Sequence, residues 1–89
     1  MDRHGFETEL KRDGYDEILT GTTQGPKHNG EHSHPYDVKA MVIDGAITLA
    51  WDGRTQTFRP GEVFTMARGC LHTETFGPEG AVTLVGRKH

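Results

Sequence analysis

The sequence predicts an all-β fold, an antiparallel sandwich or barrel of short strands behind a short N-terminal helical segment. Three observations predict it. From residue 31 onward, turn signals recur at spacings of roughly 8–12 residues, the rhythm of a sandwich or barrel. No helix-length amphipathic run separates the strands, so they must pair antiparallel. Twelve glycines and four prolines in 89 residues supply the tight turns that such a fold needs. Length favours one domain over residues 1–89, divided into a 1–14 N-terminal segment and a 15–89 barrel. Hydrophobic residues make up only 33% of the chain, so the core should be modest.

Each element follows from its residues. In residues 4–13, Phe6 and Leu10 stand four apart with charged residues around the rest of the wheel, which predicts a marginal helix ended by Gly14. Tyr15 to Thr20 reads as a first strand. Thr22 to Glu31 shows no periodicity and several turn formers, and reads as a loop. Val38 to Ile43 and Ala46 to Trp51 read as two strands joined by a turn at Asp44-Gly45. Asp52-Gly53 is the strongest hairpin signal, because this dipeptide tolerates the positive φ angles of a type I′ turn. Arg54 to Phe58, Glu62 to Met66, Leu71 to Phe76 and Ala81 to Val85 complete the strands, with turns at Pro60-Gly61, Gly69 and a loop at 77–80.

The Val38 to Ile43 strand is apolar on both faces, with Val38, Ala40 and Val42 on one and Met41 and Ile43 on the other. A second apolar face must be covered. A homodimer with a two-fold contact through Met41 and Ile43 would cover it. The N-terminal segment would also do so, folding back through Phe6, Leu10 and Tyr15. Tyr36, Met41, Trp51, Phe58, Phe64, Met66 and Phe76 are the large side chains expected in the core.

Charge narrows the partners. The net charge is −3 and the longest basic stretch is Arg87-Lys88, too little to track phosphates, so no nucleic-acid partner is expected. No apolar run approaches 18 residues and no charged-then-apolar leader opens the chain, so neither a membrane span nor a signal peptide is expected. The single cysteine, Cys70, has no internal partner, which fits a reducing cytoplasm. It reads as a small apolar filler in the turn before His72.

Chemistry concentrates on histidine. His32 and His34 flank Ser33, and side chains two apart on a strand face the same way. His72, on the strand after the Gly69 turn, is the candidate for a third metal ligand. His4, His28 and His89 are expected to be exposed and non-ligating. Glu74 is two residues from His72 and faces the same way, where it can serve as a catalytic acid or base or as a replacement ligand. Asp37 is a weaker carboxylate candidate, since parity turns it away from the histidine pair unless Pro35 introduces a bulge.

The motifs around these residues resemble those of the cupin superfamily. His32-Ser33-His34-Pro35 corresponds to the family's first His-x-His, and Gly45 to that motif's closing glycine. Gly53 leads to Pro60-Gly61, and Ala67-Arg68-Gly69-Cys70-Leu71-His72 corresponds to the second motif's Pro-x-Gly-x-x-His. The resemblance covers residues 26–85 and implies a conical antiparallel double-stranded β-helix, or jelly-roll barrel. It implies one divalent transition metal ion on His32, His34 and His72. Val38 or Lys39 falls where the family has a glutamate ligand, Ala67 replaces the motif proline and Phe76 the closing asparagine.

Three neutral imidazoles would leave a divalent ion its full charge and open coordination positions, as catalytic sites have. Imidazole suits iron, zinc, manganese, nickel and copper, so the metal is not chosen. Cupins that resemble this chain in having three histidines and no glutamate include dioxygenases, so a metal-dependent dioxygenase acting on a small molecule is the leading expectation. A non-catalytic binding or sensor barrel and a metal-dependent isomerase or lyase are the alternatives.

Overall fold

The computed structural model describes residues 1–89. One helix, α1 (Arg3–Arg12), precedes six strands: β1 (Glu17–Thr23), β2 (Lys27–His32), β3 (Asp37–Trp51), β4 (Arg54–Phe58), β5 (Val63–Met66) and β6 (His72–Lys88). Every strand pair is antiparallel. The architecture is the antiparallel jelly-roll barrel that the turn spacing and the motifs imply.

Two long strands organise the barrel by bending in the middle. β3 pairs with β6 along almost its whole length, and the register slips between Val42 and Asp44 and again between Gly45 and Ile47. Beyond the bend, β3 pairs with β4 and β6 with β2; before it, β3 pairs with β5 and β6 with β1. One sheet thus becomes two four-stranded halves, β1–β6–β3–β5 and β2–β6–β3–β4. Gly45 (φ 73°) and Gly80 (φ 66°) stand on the fold line. A Cβ on Gly45 would meet the carbonyl oxygen of Gly80, and one on Gly80 that of Thr23. Only glycine lets three backbones approach this closely at positive φ.

The bend corrects two sequence expectations. Asp44-Gly45 and residues 77–80 are kinks within continuous strands, not turns between separate ones. Extra residues at a bulge bend a strand while pairing resumes beyond it, and turn-forming residues look the same in either role. The expected loop at Thr22 to Glu31 holds the end of β1 and most of β2. Residues 27–32 are mostly exposed and lack apolar alternation, yet their backbone groups are paired with β6. Asp52 (φ 48°) and Gly53 (φ 71°) form the expected hairpin turn between β3 and β4.

The core has two parts because β3 and β6 are apolar on both faces. Val42, Ile47, Leu49, Phe58, Met66, Phe76 and Ala81 fill the space between the halves, joined by Val38, Trp51, Phe64 and Cys70. The register slip moves inward positions from even to odd along β3, so Val42 and Ile47 share one interior. On the outer face, Phe6 and Leu10 of α1 pack on Met41 and Leu84, with Tyr15, Ile18, Ile43 and Val63 around them. Phe6 and Leu10 are fully buried and Met41 is 2% exposed. The chain therefore covers with its own helix the surface on which a dimer through Met41 and Ile43 would depend, and that contact loses its physical basis.

Polar groups hold the helix in place. Asp2 caps it by accepting a hydrogen bond from Gly5 N at 2.7 Å. Lys39, on the outer face of β3, reaches Glu9 at 2.7 Å and Asp13 at 3.4 Å. The Glu9 carboxylate, then Asp13, raises the Lys39 pKa above its ordinary value. No helix is long and apolar enough to cross a membrane.

Candidate metal centre

His32 and His72 are paired directly across β2 and β6. The register slips between Asn29 and His32, and this bulge lets Asn29 and His32 both face inward although they are three residues apart. His34 follows in extended chain just past β2, on the same side as His32, as parity predicts. The three rings pack with centroids 5.1 Å (His32–His34), 4.3 Å (His32–His72) and 5.1 Å (His34–His72) apart. One nitrogen from each ring lies within 4.8 Å of the others. Ligands ~2.0–2.1 Å from a common ion would stand roughly 3–3.5 Å apart, so a small inward shift of the rings suffices.

Hydrogen bonds decide which nitrogens are free. His32 Nδ1 is 2.7 Å from the carbonyl oxygen of Gly30, and His72 Nδ1 is 3.0 Å from that of Cys70. A carbonyl only accepts, so in both rings Nδ1 carries the proton and, in the neutral ring, Nε2 carries the lone pair. This is the arrangement that outer hydrogen bonds impose on metal-binding imidazoles. His32 Nε2 in turn lies 3.6 Å from Glu74 Oε1. A lone pair facing a carboxylate oxygen is repulsive unless a proton or a cation stands between them. The donor set thus fits a divalent cation, and His32, His34 and His72 could hold it.

His34 is held neutral at ordinary pH. Burial lowers its pKa below the usual 6.5, and the neighbouring His72 and His32 lower it further against the opposing pull of Glu74. His72 is 3% exposed, so the cluster reaches from the buried wall of the barrel to its rim.

Glu74 faces the cluster, as its spacing from His72 predicts, and its Oε1 accepts a hydrogen bond from Asn29 Nδ2 at 3.0 Å. Asp37 does not join. Its Oδ1 accepts from the backbone N–H of Arg68 at 2.8 Å, bracing the turn before His72. His28 is exposed and bonded to Thr75 Oγ1 at 2.9 Å, while His4 and His89 are exposed as expected. Cys70 packs against the inner core.

His34 and Glu74 also line a cavity of about 220 Å³ between the two halves of the barrel. Its walls include Val38, Ala40, Phe64 and Val85, and its polar groups include Asn29, Tyr36, Thr83 and Arg87. Three of these carry signals that sequence reasoning missed. Tyr36, assigned to the core, stacks on His34 at 5.1 Å and 16°; it stands two residues on from His34, the same parity that pairs His32 with His34. Arg87 continues the inward row of Ala81, Thr83 and Val85, but as part of a basic dipeptide it read as surface charge. Asn29 lay in the expected loop, where no face could be assigned.

No protein-family profile and no curated protein matches the chain. Solved structures do. One from Rhizobium leguminosarum, described as of unknown function, shares 27% identity over 80% of this chain and 67% of its own, with a TM-score of 0.75. A cupin-2 domain-containing protein from Shewanella frigidimarina shares 18% identity over 80% of this chain and 69% of its own, with a TM-score of 0.66. A structure of the DMSP lyases RdDddP and RnDddQII aligns with a TM-score of 0.73 at 18% identity, over 81% of this chain and 37% of its own. With the bent, folded-over sheet and the histidines at its rim, these likenesses give the chain the fold of a small cupin.

Proposed function

We propose that the chain is a metal-dependent enzyme that acts on a small molecule by moving a proton, as a lyase or isomerase does. One observation carries this reading: a carboxylate, Glu74, faces three converging imidazoles at the wall of a cavity. In it, His32, His34 and His72 hold one divalent transition metal ion. When bound, that ion supplies a Lewis-acidic centre that polarises a substrate oxygen. Glu74 accepts the proton that this polarisation loosens, and the electron pair it leaves either expels a leaving group from the adjacent carbon, as in a lyase, or takes a proton back at a neighbouring atom, as in an isomerase. Asn29 fixes one carboxylate oxygen and leaves the other to act as base. The apolar side chains Val38, Ala40, Phe64 and Val85 that line the cavity lower the local polarity, which strengthens the charges at work. The likeness to a structure of DMSP lyases supports an elimination over other chemistry.

Dioxygenation is the second reading. Its support is the donor set, three imidazoles with Val38 or Lys39 where the motif has glutamate. Neither reading needs a second subunit at Met41.

Elemental analysis of the purified chain tests the metal, and oxygen consumption tests the chemistry. One equivalent of metal, lost when His32, His34 and His72 are replaced by alanine, supports the reading. Metal retained in the triple variant refutes it. Turnover of a candidate substrate without oxygen uptake favours the lyase or isomerase; stoichiometric uptake favours the dioxygenase.

A further inference from the structure

We propose that Arg87 is the carboxylate-binding residue of the cavity, so that the site takes a small carboxylic acid whose acid group lies on Arg87 and whose reacting end faces the histidines. The inference rests on the metal-dependent reading above and names its substrate class.

Arg87 is the cavity's only lining arginine or lysine. Its Nη1 donates to Glu17 Oε1 at 3.2 Å, and its other N–H groups meet no protein acceptor. Nε and Nη2 lie on one edge of the guanidinium, two parallel donors that match the two oxygens of a carboxylate. The half-buried group is also held in place: its Cζ sits 4.9 Å from the centre of the Tyr36 ring, and Tyr36 stacks on His34. The aromatic ring therefore sets the spacing between the cation and the metal cluster.

The rest of the cavity selects what lies between. Val38, Ala40, Phe64 and Val85 are apolar, and Thr83 offers one hydroxyl. A volume of about 220 Å³ is below that of drug-sized sites and takes a molecule of few heavy atoms. Charge sets the direction of entry. Glu74 and Arg87 lie on opposite sides of the bend in β6, in different halves of the folded sheet. A carboxylate is repelled by the first and drawn to the second, which leaves the uncharged end of the substrate for Glu74 and the histidines.

Butyrate and butyramide, alike in shape and different in charge, are the probes, titrated by NMR into the full chain loaded with zinc and, in parallel, stripped by chelator. Butyrate should bind at least tenfold more tightly than butyramide in both states, and Arg87→Gln should abolish that preference while leaving zinc content unchanged. Glu17→Gln, which removes the competing carboxylate, should tighten butyrate binding and gives a second reading if Arg87→Gln does not fold. Equal binding of the two probes overturns the proposal, as does a preference that survives in Arg87→Gln or weaker binding in Glu17→Gln. A preference that vanishes on stripping the zinc means the acid binds the metal, which also overturns it and leaves the metal-dependent reading standing. An Arg87-dependent preference in a chain that takes up no zinc when zinc is supplied upholds this inference and refutes that reading.

Discussion

At His32 and His72 a backbone carbonyl, not a neighbouring side chain, fixes the tautomer, and the site's chemistry follows from that. Replacing any one of His32, His34 or His72 with alanine should lower metal occupancy by at least tenfold, the scale of losing a ligand or its support. His28→Ala should leave occupancy unchanged, because His28 points to Thr75. His34 gives a pH signature. Burial and the two neighbouring imidazoles depress its pKa, so as pH falls the unfolded chain takes up the proton first, near 6.5, and the folded chain later. Stability associated with His34 is therefore complete above 6.5 and declines as pH falls toward the folded value. In metal-stripped protein, the His34 ring protons should titrate below the ordinary 6.5; titration at or above 6.5 would refute the assignment. The His-x-His spacing, the place of His72 after the Gly69 turn in the second motif, and the parity of Glu74 with His72 brought these four residues forward in the sequence. Tyr36 and Arg87 were not, because aromatic and basic side chains have commoner explanations, and only the register of β6 shows which way Arg87 faces.

Among the elements, α1 and the bends of β3 and β6 show what pattern reading detects and what it misses. Phe6 and Leu10 were legible as one apolar stripe, and both are fully buried on Met41 and Leu84. Leu10→Ala should therefore cost about 2–5 kcal/mol, and Phe6→Ala about 3–5 kcal/mol, read as a shift in the urea midpoint with little change in slope. The fold line was less legible. Gly45 and Gly80 looked like ends of strands because a bend and a turn both demand positive φ, and the difference lies in pairing with distant residues. β2 was missed for a related reason: a polar edge strand gains its order from hydrogen bonds to β6, not from burial of its own side chains. Gly80→Ala tests the fold line. It places a Cβ against the Thr23 carbonyl at a left-handed φ and should destabilise by at least about 2 kcal/mol. Gly53→Ala also has a positive φ but meets no atom within 4 Å, and should cost less. Equal losses at the two positions would mean that the close approach of the strands contributes nothing.

For the whole molecule, the deciding question is what covers the outer face of the β1–β6–β3–β5 half. The sequence left two answers open, a second copy of the chain or the N-terminal segment, and they predict opposite behaviour for one substitution. Were Met41 the centre of a two-fold contact, Met41→Lys would place like charges across the axis and split the dimer, while each folded subunit kept its stability. Met41 lies instead beneath Phe6 and Leu10 at 2% exposure. A lysine there must bury its ammonium or displace the helix, and either costs several kcal/mol. At about 4–8 °C per kcal/mol for a domain of this size, the melting temperature should fall by more than about 10 °C. Sedimentation of the native fraction should give the same mass for Met41→Lys as for the unaltered chain. A further variant separates the contributions of the helix and the buried methionine. Phe6→Asp leaves Met41 intact but removes its cover, so it should expose Met41, Ile43 and Leu84 together and make the chain associate as concentration rises. A Met41→Lys protein of unchanged stability and halved mass would show that the outer face belongs to an interface and that α1 lies elsewhere in solution.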